Sequence, residues 1–213
     1  MTGLIRKATL LSACALLAAT AAMAGVPDPG HCSFPTFIKL AGNAAGVVDS
    51  VKTVFAVSVA DVAGNAINAS NVVVDLTGCA DVRLASNQLN AAKTTTCSGS
   101  FHGSVSAYTN AAGQVRFAIV GNSAGAATQV GAFAKIYADG VLLTTISAAT
   151  FDLDGASGVN GSDLSKLLTD LGLHINYNRD DYDGNALANG SDLSVMLGEI
   201  GLHASTATGA TCP

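Results

Sequence analysis

Between residues 33 and 150 the apolar positions fall in short runs rich in Val, Ile, Phe and Thr, separated by clusters of Gly, Asn, Asp and Ser. This is the pattern of strands joined by turns. The run 54–59 is followed by Ala63-Gly64-Asn65, the run 72–76 precedes Gly78, and 114–119 follows Asn110-Ala111-Ala112-Gly113. Two longer runs, 129–137 and 141–150, flank Ala138-Asp139-Gly140, where Asp-Gly signals a hairpin. After residue 150 the period changes. Leu164, Leu167, Leu168 and Leu171 stand at i, i+3, i+4 and i+7, and so do Leu193, Met196, Leu197 and Ile200, which predicts two short helices with one apolar face each. Gly172 and Gly201 stand where those helices would stop. The expected fold class is mainly β: a β-sandwich over 25–150, then a small α module of two loop-helix units over 151–203, and a tail over 204–213. The last strand runs into Phe151-Asp152 with almost no linker, so the module is expected to pack against the sandwich or continue it rigidly.

The module is an internal duplication. Aligning 152–174 with 181–203, a spacing of 29 residues, gives 13 identities in 23 positions, including Asn-Gly-Ser-Asp-Leu-Ser unchanged. Repetition at a fixed period marks a repeated supersecondary unit. Each copy carries oxygen-bearing residues at the spacing of a 12-residue EF-hand-like calcium loop, with ligands at positions 1, 3, 5, 7 (carbonyl), 9 and 12. The second loop supplies Asp181, Asp183, Asn185, the Leu187 carbonyl, Asn189 and Asp192. The first supplies Asp152, Asp154, the Gly158 carbonyl, Asn160 and Asp163, with Ala156 where the fifth ligand would be, and is expected to be the weaker or more hydrated site. Position 6, usually Gly for a sharp turn, is Ser157 in one loop and Ala186 in the other, and the closing residue is Asp rather than Glu. Up to two calcium ions are expected.

A loop closed by Asp, one helix after each loop, and a tandem copy in about fifty residues resemble the dockerin type I module. The resemblance implies calcium-dependent folding and docking onto a cohesin-like partner. The recognition positions it implies are Gly161 and Ser162 in one copy and Gly190 and Ser191 in the other. Further recognition positions along the helices, often polar or basic in that family, are here Leu168, Thr169, Leu197 and Gly198. In the β unit, Asp61 through Ile67, Asn71 through Leu76 and Thr109 through Phe117 follow one another in an order that resembles bacterial immunoglobulin-like domains of the invasin kind. That resemblance implies a spacer or adhesive role.

Charge is uneven. Residues 25–150 hold six acids and six bases, whereas 151–203 hold nine acids against Lys166 and Arg179, a net of minus seven. Self-repulsion in so small a segment disfavours compaction, and bound cations would relieve it. Nothing basic is clustered, so nucleic acid is not an expected partner. Residues 1–24 read as a secretory signal peptide, with Arg6 and Lys7 before an apolar run and Ala22-Met23-Ala24 as the cleavage site. Leu11-Ser12-Ala13-Cys14 also fits a lipoprotein box, but the apolar run continues well past Cys14. A secreted or cell-surface protein with no membrane span is expected. Cys32, Cys79, Cys97 and Cys212 remain after cleavage, an even count that in an exported chain reads as disulfides. Three pairings are open, with Cys79–Cys97 stapling a polar loop and Cys32–Cys212 joining the ends as the favoured set.

No catalytic constellation emerges. His174 and His203 belong to the repeat, His31 adjoins Cys32, and the serines around His102 lack a Gly-x-Ser-x-Gly elbow. Every close pair of carboxylates is already assigned to a loop. The chain has no Trp for sugar stacking. A non-enzymatic interaction protein is expected. The rivals are a purely structural secreted protein with the repeat as a stabilising tail, and a carbohydrate-active enzyme or binding module.

Overall fold

The computed structural model describes residues 25–40, 53–86, 102–123, 126–156 and 158–201, together with the backbone of short strands at 43–44, 47–48 and 94–98. The signal segment 1–24 with Cys14, the side chain of Cys97, and the end of the chain with Cys212 lie outside the described residues.

The fold is mainly β. Its largest element is a six-stranded sheet of β1 (Phe37–Leu40), β12 (Val141–Thr150), β11 (Ala134–Ala138), β5 (Asn71–Asp75), β8 (His102–Tyr108) and β7 (Thr94–Ser98), in that order. The neighbours β12–β11, β11–β5, β5–β8 and β8–β7 are antiparallel, and only β1 lies parallel to its neighbour, β12. Smaller pairs are formed by β2 (Asn43–Ala44) with β3 (Val47–Val48), β4 (Phe55–Ser58) with β9 (Gln114–Phe117), and β6 (Arg83–Leu84) with β10 (Gly121–Asn122). Burial alternates along β1, β5, β9 and β11, as expected when successive side chains point to opposite faces. The inward rows of the curled sheet (Val72, Val74, Val105, Ile136, Ile146) meet Val57, Val115 and Phe117 from β4–β9 in one core. Each fully buried Val, Leu, Ile or Phe there stabilises the fold by roughly 1.5–3 kcal/mol.

The turns follow the sequence signals. Asp139 and Gly140 both take positive φ, 47° and 82°, so Ala138 pairs directly with Val141 across a two-residue hairpin. Asn110 Oδ1 accepts from the amides of Ala112 and Gln114, and Gly113 turns the chain at φ 71°. A Cβ at Gly113 would stand 2.6 Å from the Val59 carbonyl oxygen. The run at 129–137 is shorter as a strand than its composition predicts. Gln129 is drawn away from the sheet: its amide donates to Asp81 Oδ2 at 2.7 Å and its side chain bonds Ala80 and Gly78.

The expected bridges are corrected. Cys32 and Cys79 are free thiols, so neither Cys79–Cys97 nor Cys32–Cys212 is formed through them. Cys79 is 3% exposed within the β core, and burial pushes its thiol up to about 12. Cys32 Sγ instead sits against the backbone of Ala60.

After β12 come helix α1 (Gly161–Gly172), a 3-10 turn (Asn178–Asp180) and helix α2 (Gly190–Gly201). Ala149, Phe151, Leu153, Val159, Leu167, Tyr182 and Met196 form a second core, in which the Phe151 and Tyr182 rings stack at 4.6 Å. The helices bury part of each predicted stripe, but Leu168 and Leu197 remain about half exposed, at 49% and 50%.

This unit is locked to the sheet. The Tyr182 hydroxyl donates to the Thr150 carbonyl at 3.1 Å, and the Ser123 amide donates to the Asp152 carbonyl at 2.7 Å. Arg179, 2% exposed, donates through Nε and Nη2 to Asp170 Oδ2 at 3.0 and 2.5 Å and through Nη1 to Ser123 Oγ at 3.3 Å. Ser123 Oγ in turn donates to the Asp81 carbonyl at 2.5 Å. One guanidinium thus ties α1, the turn before the second loop and the β unit together. Arg179→Ala would leave Asp170 as a buried charge without its partner, and the expected loss of about 3–5 kcal/mol would be read from urea unfolding of the full chain.

Candidate metal centre

The repeated Asn-Gly-Ser-Asp builds each helix start and each acidic cluster at once. In the first copy the Asn160 side chain accepts from the Ser162 amide at 2.8 Å, and Asp163 Oδ2 accepts from the Asn160 amide at 2.8 Å. Asn189 and Asp192 repeat this at 2.8 and 2.9 Å. These are reciprocal caps of the kind that satisfy orphan donors at a helix start. The other oxygen of each Asp folds back over the start of its own loop. Asp163 Oδ1 accepts from Leu153 and Asp154, and Asp192 Oδ1 from Tyr182 and Asp183. An Asp closing each loop is therefore matched to a double duty as cap and as inward-facing carboxylate.

The result is two acidic triads. Asp152, Asp154 and Asp163 each present a carboxylate oxygen within 4.8 Å of the others, and so do Asp181, Asp183 and Asp192. Asp152, Asp163, Asp181 and Asp192 are buried. At such spacing three like charges repel strongly, and the inner members respond. Burial, reinforced by Asp163 and Asp154, pushes the Asp152 carboxyl up to about 7. Burial likewise holds Asp163 and Asp192 above the usual carboxylate range, against the pull of the backbone amides they accept from.

Asp152 gives the sharpest test of fit. It is 1% exposed, and its Oδ2 accepts no hydrogen bond among the described residues. A buried acceptor left unsatisfied costs about 1–3 kcal/mol, more when charged, and a cation between the three carboxylates removes that cost. In the second loop, Asp181 is instead tied by amides, Oδ1 to Gly184 and Asn185 and Oδ2 to Ala186. Carboxylate oxygens keep further lone pairs when they accept such bonds. Both triads could thus hold a metal ion, and in the first a buried carboxylate oxygen of Asp152 is left without a hydrogen bond among the described residues.

The remaining predicted ligands lie in the same loops. The Asn160 side-chain Nδ2 donates to the Gly158 carbonyl at 3.0 Å, and the Asn189 Nδ2 to the Leu187 carbonyl at 3.4 Å. Asn185 Oδ1 accepts from the Leu187 amide, while its Nδ2 donates to Asp183 Oδ2 at 2.9 Å. The capping work of Asn160 and Asn189 was legible in the S/T/D/N-x-x-acid spacing but is absent from a pure ligand count. Of the two unusual sixth positions, Ser157 lies outside the described residues. Ala186 adopts φ 64°, the left-handed conformation a glycine would take there, at a cost of roughly 1–2 kcal/mol. The turn survives the substitution and carries its strain. The positions implied for partner recognition, Gly161, Ser162, Gly190 and Ser191, are all exposed. Ser191 Oγ also donates to Asp183 Oδ2 at 2.5 Å.

Comparisons with protein families, with curated proteins and with solved structures find no match to this chain. Among the described residues no helix is long and apolar enough to cross a membrane.

Two expectations follow from the electrostatics and the strain. The folded chain binds the Asp152 proton more tightly than the unfolded one, so this contribution to stability is complete below pH 4 and is lost as pH rises through about 7. In chelator, the urea midpoint should be higher at pH 5 than at pH 8. A saturating divalent cation, which binds the ionised carboxylates, should remove or invert that difference. Separately, Ala186→Gly should raise unfolding free energy by about 1 kcal/mol by releasing the left-handed strain.

Proposed function

We propose that residues 152–163 and 181–192 are calcium loops of a dockerin-like tandem repeat, carried on an immunoglobulin-like β unit in an exported, non-enzymatic protein that serves extracellular assembly or protein–protein interaction. The observation that carries the reading is the pair of acidic triads at a spacing of 29 residues, each opening into a helix capped by the same Asn and Asp. Every donor in both sets is oxygen. A hard cation taking about six to eight oxygens suits them, and thiolate- or imidazole-seeking metals do not. Exposure of Gly161, Ser162, Gly190 and Ser191 leaves the helix starts open to a partner of the cohesin kind. Leu168 and Leu197, exposed at corresponding places in the two helices, favour a partner that presents apolar surface.

A second reading has its own support. Arg179, Tyr182 and Ser123 interlock the repeat with the sheet, which suits a stabilising tail in a structural protein with no partner. Both readings require the cations, and they separate on whether the exposed helix starts engage anything.

Calorimetric titration of the full chain with calcium tests the shared premise. Two ions should bind with dissociation constants of about 10⁻⁴–10⁻³ M, as extracellular sites of this class do. Thermal unfolding should move upward by an amount that corresponds to about 2.7 kcal/mol per site at 100 times the dissociation constant. Asp192→Ala should abolish one site. Absence of binding at several millimolar calcium would sink the reading.

A further inference from the structure

We infer that Phe37, more than 140 residues upstream of the second loop in sequence, positions that loop for its cation. The inference rests on the reading of the loops as calcium sites. β1 is one of the two edge strands of the six-stranded sheet, and its pairing with β12 runs from Phe37 opposite Ser147 to Leu40 opposite Thr150. The half-buried Phe37 ring lies directly against Gly184. A Cβ at Gly184 would fall inside the contact distance of three ring carbons, so glycine is required there for closeness as well as for its φ of 76°. The Lys39 ammonium stands 5.4 Å from the centroid of the same ring and helps to hold its orientation.

Gly184 is the fourth residue of the loop and begins the turn that orients Asp181. Its amide donates to Asp181 Oδ1 at 2.8 Å, and the amides of Asn185 and Ala186 follow at 3.1 and 2.9 Å. The ring therefore bears on the three-amide cradle of a metal ligand. A cleft of about 290 Å³ lies beside this turn, lined among others by Thr36, Ser147, Asp181, Gly184 and Ala186. With the ring removed, the strained turn at Ala186 has space to relax and to release Asp181. The first loop has the same turn, Gly155 to Asp152 Oδ1 at 2.7 Å, but needs no such brace. It continues directly from β12, whereas the second loop is reached through an exposed stretch at 172–176 and then the anchored turn Asn178–Asp180. By reciprocity, an ion in the second loop must hold β1 on the sheet.

The test uses the full chain, with calcium titration calorimetry and hydrogen exchange of residues 37–40 in calcium and in chelator. In the unaltered protein, calcium should slow exchange at 37–40 at least tenfold. Phe37→Ala should weaken one of the two sites about fivefold or more and leave the other within twofold. Phe37→Leu should recover most of the affinity, which a general loss of stability would not produce. Asp181→Asn should abolish the calcium effect on exchange at 37–40, an arm that stands even if Phe37→Ala fails to fold. Two intact sites in Phe37→Ala, or β1 exchange indifferent to calcium while both ions bind, overturns the inference alone. Equal weakening of both sites overturns it too. No binding by the unaltered protein overturns the calcium reading and this inference together.

Discussion

Seven carboxylates of the C-terminal unit are buried (Asp152, Asp163, Asp170, Asp180, Asp181, Asp192 and Glu199), and Arg179 is the buried base among them. Removing ionised carboxylates from water is expensive, and the architecture is organised around meeting that cost. Asp170 is met by the guanidinium. Asp163, Asp181 and Asp192 are met in part by backbone amides at the loop and helix starts. Asp180 and Asp152 retain oxygens that accept no hydrogen bond among the described residues, although Arg179 Nε stands 3.9 Å from Asp180 Oδ1. Burial and the neighbouring Asp170 hold the Asp180 carboxyl well above the usual range, while Asp152 faces its two loop partners. Neutralising charge is thus a condition of packing Phe151, Tyr182 and Met196 into one core.

The same condition explains why the repeat and the β unit share a boundary rather than a linker. Arg179 can be dehydrated only where acceptors surround it, and Ser123, linked to the Asp81 carbonyl, supplies one from the β side. Asp81 itself collects the amides of Thr128 and Gln129 and the Thr128 hydroxyl, fixing the segment on which Asn178 then docks through Gln129 and Gly131. A chain of short polar contacts, each modest alone, carries order from the sheet to the start of the second loop.

Much of this was legible in the sequence, for local reasons. Asp-Gly at 139–140, the Asn110–Gly113 turn, the two helices and both acidic triads are encoded in neighbouring residues, whose preferences need no distant partner. What escaped depends on long-range contacts. Nothing local announces that β1 pairs in parallel with a strand more than 100 residues away, that Gln129 leaves the sheet for Asp81, or that Phe37 rests on Gly184. Counting cysteines suggested bridges through Cys32 and Cys79, yet the free thiols occupy sites that packing alone explains: one in the β core, one against the Ala60 backbone. The ligand count does not register the dehydration of Asp152, because that depends on burial and not on how many oxygens the motif contains.

Strand β12 is paired to β11 along its first part and to β1 along its last four residues, and it passes into Asp152 without slack. A pull applied at the helices would therefore run along the axis of that strand, loading its flanking hydrogen bonds side by side instead of peeling them one after another. Such a joint resists traction as a lap joint does, and it fixes the direction in which the two helices face relative to the rest of the molecule.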